Sequence, residues 1–110
     1  MTQNLKAYAI ANLRAVRMGP HIVEYLERID ATLVPYGGRF IVHGATPELV
    51  EGAWDGTPIV VEFPDVEHLR AWYDSPAYHA ILPLRTRNSD GDVIIVEGVD
   101  DTHKATDILD

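Results

Sequence analysis

The chain has 110 residues, of which 46% are hydrophobic and 24% charged, so it is the size of one globular domain and too apolar to be disordered. Nine lysines and arginines against 17 aspartates and glutamates give a net charge of −8, which disfavours binding to a nucleic-acid backbone. The sequence contains no cysteine, which excludes disulfides, cysteine-ligated metal sites and a cysteine nucleophile.

The sequence also gives no sign of a membrane partner. Its apolar runs are far shorter than the roughly 20 residues that a membrane-spanning helix needs. The N-terminus lacks the basic, apolar and small-residue regions of a signal peptide. We therefore expect a cytoplasmic protein whose partners include neither nucleic acid nor membrane.

The first three predicted elements are a strand, a helix and a strand. Residues 5–12 alternate in the manner of a strand. Apolar residues at steps of three and four predict a helix that begins at Pro20 and ends before Gly37. Residues 38–44 again alternate and predict the second strand. The apolar stripe of the helix consists of Ile22, Leu26, Ile29, Leu33 and Tyr36.

Two further strands are predicted in the second half of the chain, at residues 59–63 and 92–97. Residues 49–51 form a candidate for a short additional edge strand. Ser89-Asp90-Gly91 has the composition of a turn and is expected to precede the last strand.

Helical segments are predicted between these two strands. Asp65 is suited to cap the start of one helix, and Ser75 followed by Pro76 is suited to start another. Pro83 is expected to kink or end the second of them, because proline lacks the N–H that a helix interior uses.

The resulting order is β-α-β-β-α-β, the ferredoxin-like arrangement, in which helices cover one face of a four-stranded antiparallel sheet. We assign this ferredoxin-like domain to residues 1–98. Residues 99–110 form an acidic C-terminal tail, which is either solvated or an arm that docks Ile108 and Leu109 on a partner subunit. The apolar set expected to meet the helices is Ala7, Ala9, Ala11, Phe40, Val42, Ile59, Val61, Phe63, Ile94 and Val96.

The opposite face of the predicted sheet mixes aliphatic with ionisable side chains. Such a face is too apolar for open water and too charged for a dry core. We therefore expect a second copy of the same sheet to cover it and to enclose a polar cavity, in a homodimeric α+β barrel. The residues of this face are Tyr8, Ile10, Asn12, Arg39, Ile41, His43, Val60, Glu62, Val93, Ile95 and Glu97.

Several short strings carry a family resemblance. They are Tyr36–Gly44, Glu51–Trp54, Glu62–Pro64, Ala71–Tyr78 and Ile94–Gly98. Together they resemble the domain-of-unknown-function family 1330, a member of the dimeric α/β-barrel superfamily, over roughly residues 5–98. The resemblance implies the ferredoxin-like fold and a dimer but no established reaction. The wider superfamily includes cofactor-free monooxygenases, lactone isomerases and haem-binding proteins.

Arg39, His43 and Glu62 are the candidate reactive residues. Arg39 and His43 lie four residues apart on one predicted strand, about 13 Å from each other. In one interpretation Arg39 only pairs with Glu62 or Glu97 and fixes the register of the sheet or dimer. In the other, Arg39 binds the carboxylate or enolate of a small organic ligand and His43 acts as general base with Glu62.

Other polar and aromatic residues are candidates for ligand binding. Tyr8 and Asn12 share the predicted face of Arg39. Trp72 and Tyr78, together with Tyr73, either cap the core beside the helices or line the mouth of the pocket and stack on an aromatic ligand.

The five histidines show no metal-ligand spacing, so we expect no metal and no cofactor. Two functional hypotheses remain open. One is a cofactor-independent enzyme that performs acid–base or oxygenation chemistry on a small organic compound. The other is a non-catalytic dimeric module that binds such a compound. A dimer whose polar residues form only ion pairs is a third interpretation.

Overall fold

The chain forms a sheet of four strands and three α-helices in a computed structural model that describes residues 5–109. The sheet is antiparallel throughout, and its strands are arranged spatially in the order β2-β3-β1-β4. The strands are β1 (Ala7–Val16), β2 (Arg39–Val42), β3 (Thr57–Phe63) and β4 (Ser89–Glu97), and the helices are α1 (Pro20–Leu33), α2 (Val66–Tyr73) and α3 (Pro76–Thr86). This is the ferredoxin-like fold that the sequence predicts.

The bounds of several elements differ from the predicted ones. The central strand β1 extends to Val16, and β4 begins at Ser89, where a turn was expected. Residues 49–51 form no strand and belong to an exposed loop between β2 and β3. Residues 1–4 of the predicted domain lie outside the described residues. The separation of an acidic tail from residue 99 stays a prediction.

The core lies between the sheet and the helices. Small and apolar residues of β1 and β3 form its floor, and the helices cover it. Tyr25 and Thr32 are buried on α1, whereas Leu26 is 42% exposed, so the buried stripe of α1 is rotated from the predicted one. The buried core cluster consists of Ala7, Ala9, Tyr25, Ile29, Leu33, Val61, Phe63, Leu69, Trp72, Tyr78 and Ile81.

A bulge in β2 changes which face its last residues occupy. Phe40 pairs with Val61, but the next pair joins Val42 to Val60, so Ile41 is an extra residue on the β2 side. Val42 therefore shares the face of Val60, and the prediction that it meets the helices is wrong. His43 lies on the helix side instead of the predicted opposite face, and its ring stacks on that of Phe40.

The predicted faces of β4 are also wrong. The register pairs Ala9 with Ile95, and Ile10 with Ile94. Because directly opposed residues of an antiparallel pair share a face, Ile95 points to the helices and Ile94 points away from them. The sequence from Val93 to Val96 is apolar at every position, so alternation alone does not distinguish the two faces.

The sheet face turned away from the helices is called the open face below. The strand registers and the bulge in β2 determine which residues belong to it. Its residues are Tyr8, Ile10, Asn12, Arg39, Val42, Val60, Glu62, Asp92, Ile94 and Val96.

Two side-chain caps fix the helices as predicted. Asp65 accepts a hydrogen bond from the backbone N–H of His68 at 2.8 Å. Ser75 accepts one from the backbone N–H of Tyr78 and donates to the carbonyl of Trp72. Pro83 does not end α3, because it removes a single backbone hydrogen bond while Leu84 packs beyond it against the core.

We predict that the Asp65 cap stabilises the fold in a pH-dependent manner. Hydrogen bonds from the backbone and the ring of His68 hold the pKa of Asp65 below its ordinary value. A carboxyl whose pKa is lowered by folding contributes stability above its unfolded pKa, and this contribution is lost as the pH falls through the folded pKa. The difference in unfolding free energy between wild type and Asp65→Ala should be constant above about pH 5 and shrink below about pH 4.

Ser75→Ala is the matched control, because its hydroxyl does not titrate. Urea unfolding should show a loss of about 1–2 kcal/mol that is the same at pH 7 and pH 4. A cost of Asp65→Ala that persists unchanged at pH 3 would contradict the carboxylate cap.

Candidate ligand-binding site

The open face carries a cluster of ion pairs. Glu62 Oε1 accepts hydrogen bonds from Nε and Nη2 of Arg39 at 3.2 and 3.1 Å, and Lys6 Nζ lies 3.5 Å from the same oxygen. Burial raises the pKa of Glu62, but the hydrogen bond from Arg39 and the charge of Lys6 outweigh it and hold the pKa below its ordinary value. Glu62 is thus a carboxylate held between two cations.

Tyr8 and Asn12 lie on the same open face but make different contacts. Tyr8 is paired with Glu62 across β1 and β3. The side-chain Nδ2 of Asn12 donates to the carbonyl of Asp55 at 2.9 Å, and a Cβ at Gly56 would collide with Asn12 Oδ1. Asn12 therefore holds the turn that precedes β3.

The structure separates His43 from Arg39 and Glu62. The rings of His43 and Phe40 are stacked with centroids 4.3 Å apart and planes inclined by 19°. His43 also lines a cavity on the helix side of the sheet. The expectation that His43 and Glu62 share a face is wrong, and its cause is the bulge at Ile41.

The cavity is an apolar space of about 230 Å³ between the sheet and the helices. Its lining includes the exposed residues Met18, His43 and Thr57, and the end that they line is called the mouth below. Buried side chains form the inner end. These are Ala9, Tyr25, Ile29, Val61, Trp72 and Tyr78.

Two buried tyrosines form the polar part of the cavity wall. The hydroxyl oxygens of Tyr25 and Tyr78 are 2.7 Å apart. Burial and the adjacent Tyr78 raise the pKa of Tyr25 far above its ordinary value, and Arg85 offsets this only in part. Tyr25 is therefore neutral at physiological pH. The hydrogen bond between the hydroxyls uses one of their two protons, which leaves the second for another partner.

Arg85 lies beside the tyrosine pair. Its guanidinium carbon is 5.9 Å from the centre of the Tyr25 ring, and the half-buried side chain lines the cavity. The side chain comes from the last turn of α3, beyond Pro83. This part of the cavity wall thus combines the hydroxyl groups of two tyrosines with one permanent positive charge.

Trp72 is held in place as a flat wall of the cavity. Its indole Nε1 donates to Thr32 Oγ1 at 2.9 Å, and Thr32 Oγ1 donates to the carbonyl of Ile29 at 2.6 Å. The centroid of Trp72 is 4.1 Å from that of Tyr78 and 5.3 Å from that of Phe63. Trp72 and Tyr78 therefore belong to the core and also line the inner end of the cavity.

Sequence reasoning missed Tyr25 and Arg85. Tyr25 lies three residues after Ile22 and four before Ile29, so the helical period itself places a hydroxyl in the buried stripe. Arg85 was overlooked because Pro83 was expected to kink or end α3. A prediction that extended α3 by one turn would have brought Arg85 to the same helix face as Tyr78 and Ile81.

Residues 5–109 contain no group of three or more histidine, aspartate or glutamate side chains that could hold a metal ion. None of the helices in this range combines the length and the apolarity needed to cross a bilayer.

Solved structures with the same fold include proteins of unknown function and one oxygenase. A protein of unknown function from Rhodopseudomonas palustris matches with a TM-score of 0.66 and 14% identity, over 89% of this chain and 85% of its own. A dimeric ferredoxin-like protein of unknown function from Jannaschia matches with a TM-score of 0.63 and 16% identity, over 86% and 99%. SnoaB, a cofactor-independent oxygenase from Streptomyces nogalater, matches with a TM-score of 0.54 and 10% identity, over 94% and 100%.

These likenesses establish the fold. No curated protein matches the sequence significantly. The family model described as "Domain of unknown function (DUF1330)" matches residues 6–99, which is most of the chain. The protein therefore belongs to the DUF1330 family.

Proposed function

We propose that each protomer binds a small, mainly apolar organic molecule in the cavity between sheet and helices, and that the Tyr25–Tyr78 pair acts on an oxygen of that molecule without a cofactor. The observation that carries the proposal is the buried hydroxyl pair in a mainly apolar wall. Ligand sites characteristically combine apolar lining with a few placed polar groups.

The dimensions of the cavity suit one or two rings. Its volume of about 230 Å³ exceeds the roughly 150 Å³ of an engineered apolar cavity that binds benzene. The ring of Trp72 forms part of the wall, against which an aromatic or conjugated ligand can pack. Ala9 and Ala11 contribute small side chains to the opposite wall and leave this space unfilled.

The tyrosine pair is suited to donate rather than to accept a proton. With its raised pKa, Tyr25 keeps its proton at neutral pH. The pair can donate a hydrogen bond, and in turnover a proton, to a carbonyl or enolate oxygen of the ligand. His43 at the cavity mouth is the candidate general base, since imidazole is the side chain most often used for that role. The catalytic role predicted for Glu62 receives no support from its position on the open face.

Non-catalytic binding is the second candidate function. The exposed position of His43 favours it, because a base at the mouth is remote from the buried hydroxyl pair. Both candidates use the same cavity, and turnover distinguishes them. If purified protein accelerates solvent-deuterium exchange of enolisable ketones and Tyr78→Phe abolishes the acceleration, the enzyme is supported; binding without exchange across the panel supports the module.

We also propose that two protomers pair through their open faces. Ile94 is 55% and Val96 42% exposed on this face in a single protomer. The radius of gyration is 15.6 Å, against roughly 13 Å for a globule of this length, as expected for a flat half of a larger assembly. The Jannaschia protein of the same fold is described as dimeric. We propose a cytoplasmic location on the basis of the sequence alone.

The tyrosine pair predicts a preference for hydroxylated ligands. A Trp54→Phe background leaves Trp72 as the single indole, and its Nε1–H resonance in ¹H–¹⁵N spectra reports on the cavity. Titration should show phenol binding about 3- to 10-fold more tightly than toluene, the effect of one hydrogen bond. The double variant Tyr25→Phe/Tyr78→Phe should lose this preference.

Tyr36→Phe is the control, because Tyr36 lies outside the cavity lining. It should keep the preference for phenol. If neither compound moves the Trp72 resonance, the cavity is not a ligand site; if the double variant still prefers phenol, the tyrosine pair is not the recognition element.

The pairing of open faces predicts the effect of a buried charge. Wild-type protein should have twice the mass of the chain in light scattering at micromolar concentration. Ile94→Glu should give monomers, because it places an unpaired carboxylate in the interface. Val23→Glu, on an exposed position of α1, should stay dimeric. A dimer that survives Ile94→Glu with unchanged affinity would contradict the proposed interface.

A further inference from the structure

The charge of the cavity wall is opposite to the charge of the chain. The chain carries 17 aspartates and glutamates and a net charge of −8. Within residues 5–109, however, the side chains that line the cavity include no carboxylate and one guanidinium, that of Arg85. A ligand in this cavity therefore meets a positive charge that its own surroundings do not neutralise.

The Arg85 guanidinium is partly buried and has no carboxylate partner among the described residues. Arg85 is half-buried beside an apolar space, and no aspartate or glutamate of the described residues lies within salt-bridge distance of it. Arg14, Arg17 and Arg28 have such partners, and Arg70 and Arg87, which show none among the described residues, are exposed to solvent. The hydroxyls of Tyr25 and Tyr78 interact with the Arg85 side chain but are neutral. The partly desolvated guanidinium therefore lacks the anionic partner that such charges ordinarily have.

The groups around Arg85 define the kind of anion. A guanidinium presents a planar fork of donors that matches a carboxylate or a similar planar oxyanion. The hydroxyls of Tyr25 and Tyr78 add neutral donors to the same region, and Arg85 lies near the ring of Tyr25. The lining also includes the polar side chains of His43, Thr57 and Ser89, and the rest of the wall is mainly apolar. The remainder of the ligand is therefore expected to be mainly apolar.

We infer that the ligand of this cavity is an amphiphilic anion, with an aromatic or aliphatic body beside Ile29 and Trp72 and a carboxylate-type group at Arg85 and the tyrosine hydroxyls. The inference rests on the proposed function and specifies the substrate class of the same site. Benzoate and benzamide test it, because they have nearly the same shape and differ in charge.

The test follows the Trp72 indole resonance of the Trp54→Phe protein during titration with each compound. Benzoate should bind at least about tenfold more tightly than benzamide, the effect of a charge-assisted hydrogen bond. Arg85→Gln should abolish the preference, and Arg85→Lys should keep part of it, because lysine retains the charge without the planar fork. Arg87→Gln, an exposed substitution two residues further on, makes the same change in net charge and should leave the preference intact.

The outcomes separate this inference from the proposed function. If phenol binds but benzoate binds no better than benzamide, the cavity is a ligand site and the inference of an anion is wrong. If no compound moves the resonance, the proposed function itself fails. The ratio of the affinities for benzoate and benzamide is measured on a protein with an unaltered cavity. The test therefore stays decisive even if the Arg85→Gln protein does not fold.

Discussion

The packing of three helices on a sheet whose central strand carries alanines is the interaction on which the site depends. Ala7 and Ala9 are buried and bring the backbone of β1 close to the helices. Further along the strand, the small side chains of Ala9 and Ala11 leave space that the helices do not fill. The cavity is thus a consequence of residue size on one strand, and larger side chains at these positions would replace it with solid core.

The two faces of the sheet have distinct chemical roles. The open face holds ionic contacts such as Arg39–Glu62 beside exposed aliphatic residues, a composition suited to a protein interface with fixed register. The helix side holds the apolar cavity with its hydroxyl pair. In the proposed arrangement the dimer interface and the ligand site are separate surfaces, whereas the sequence predicts a single cavity enclosed between two sheets.

The fold was predictable from sequence because its signals are local. Asp65 and Ser75 cap helices whatever the tertiary packing, and the alternation of residues 59–63 is unambiguous. The faces of β2 and β4 were not predictable in the same way. One extra residue at Ile41 exchanges the faces of Val42 and His43, and a bulge leaves no clear mark in the hydrophobic pattern. In β4 every residue from Val93 to Val96 is apolar, so only pairing with β1 selects the face.

We propose above all that the apolar space between the alanines of β1 and the helices is the ligand site. Xenon binds dry apolar cavities without needing any polar contact, so a crystal under xenon pressure tests the space independently of ligand chemistry. We expect a xenon atom beside Ala9, Ile29 and Trp72. Xenon bound only on the open face, or ordered water filling the space between sheet and helices, would contradict it.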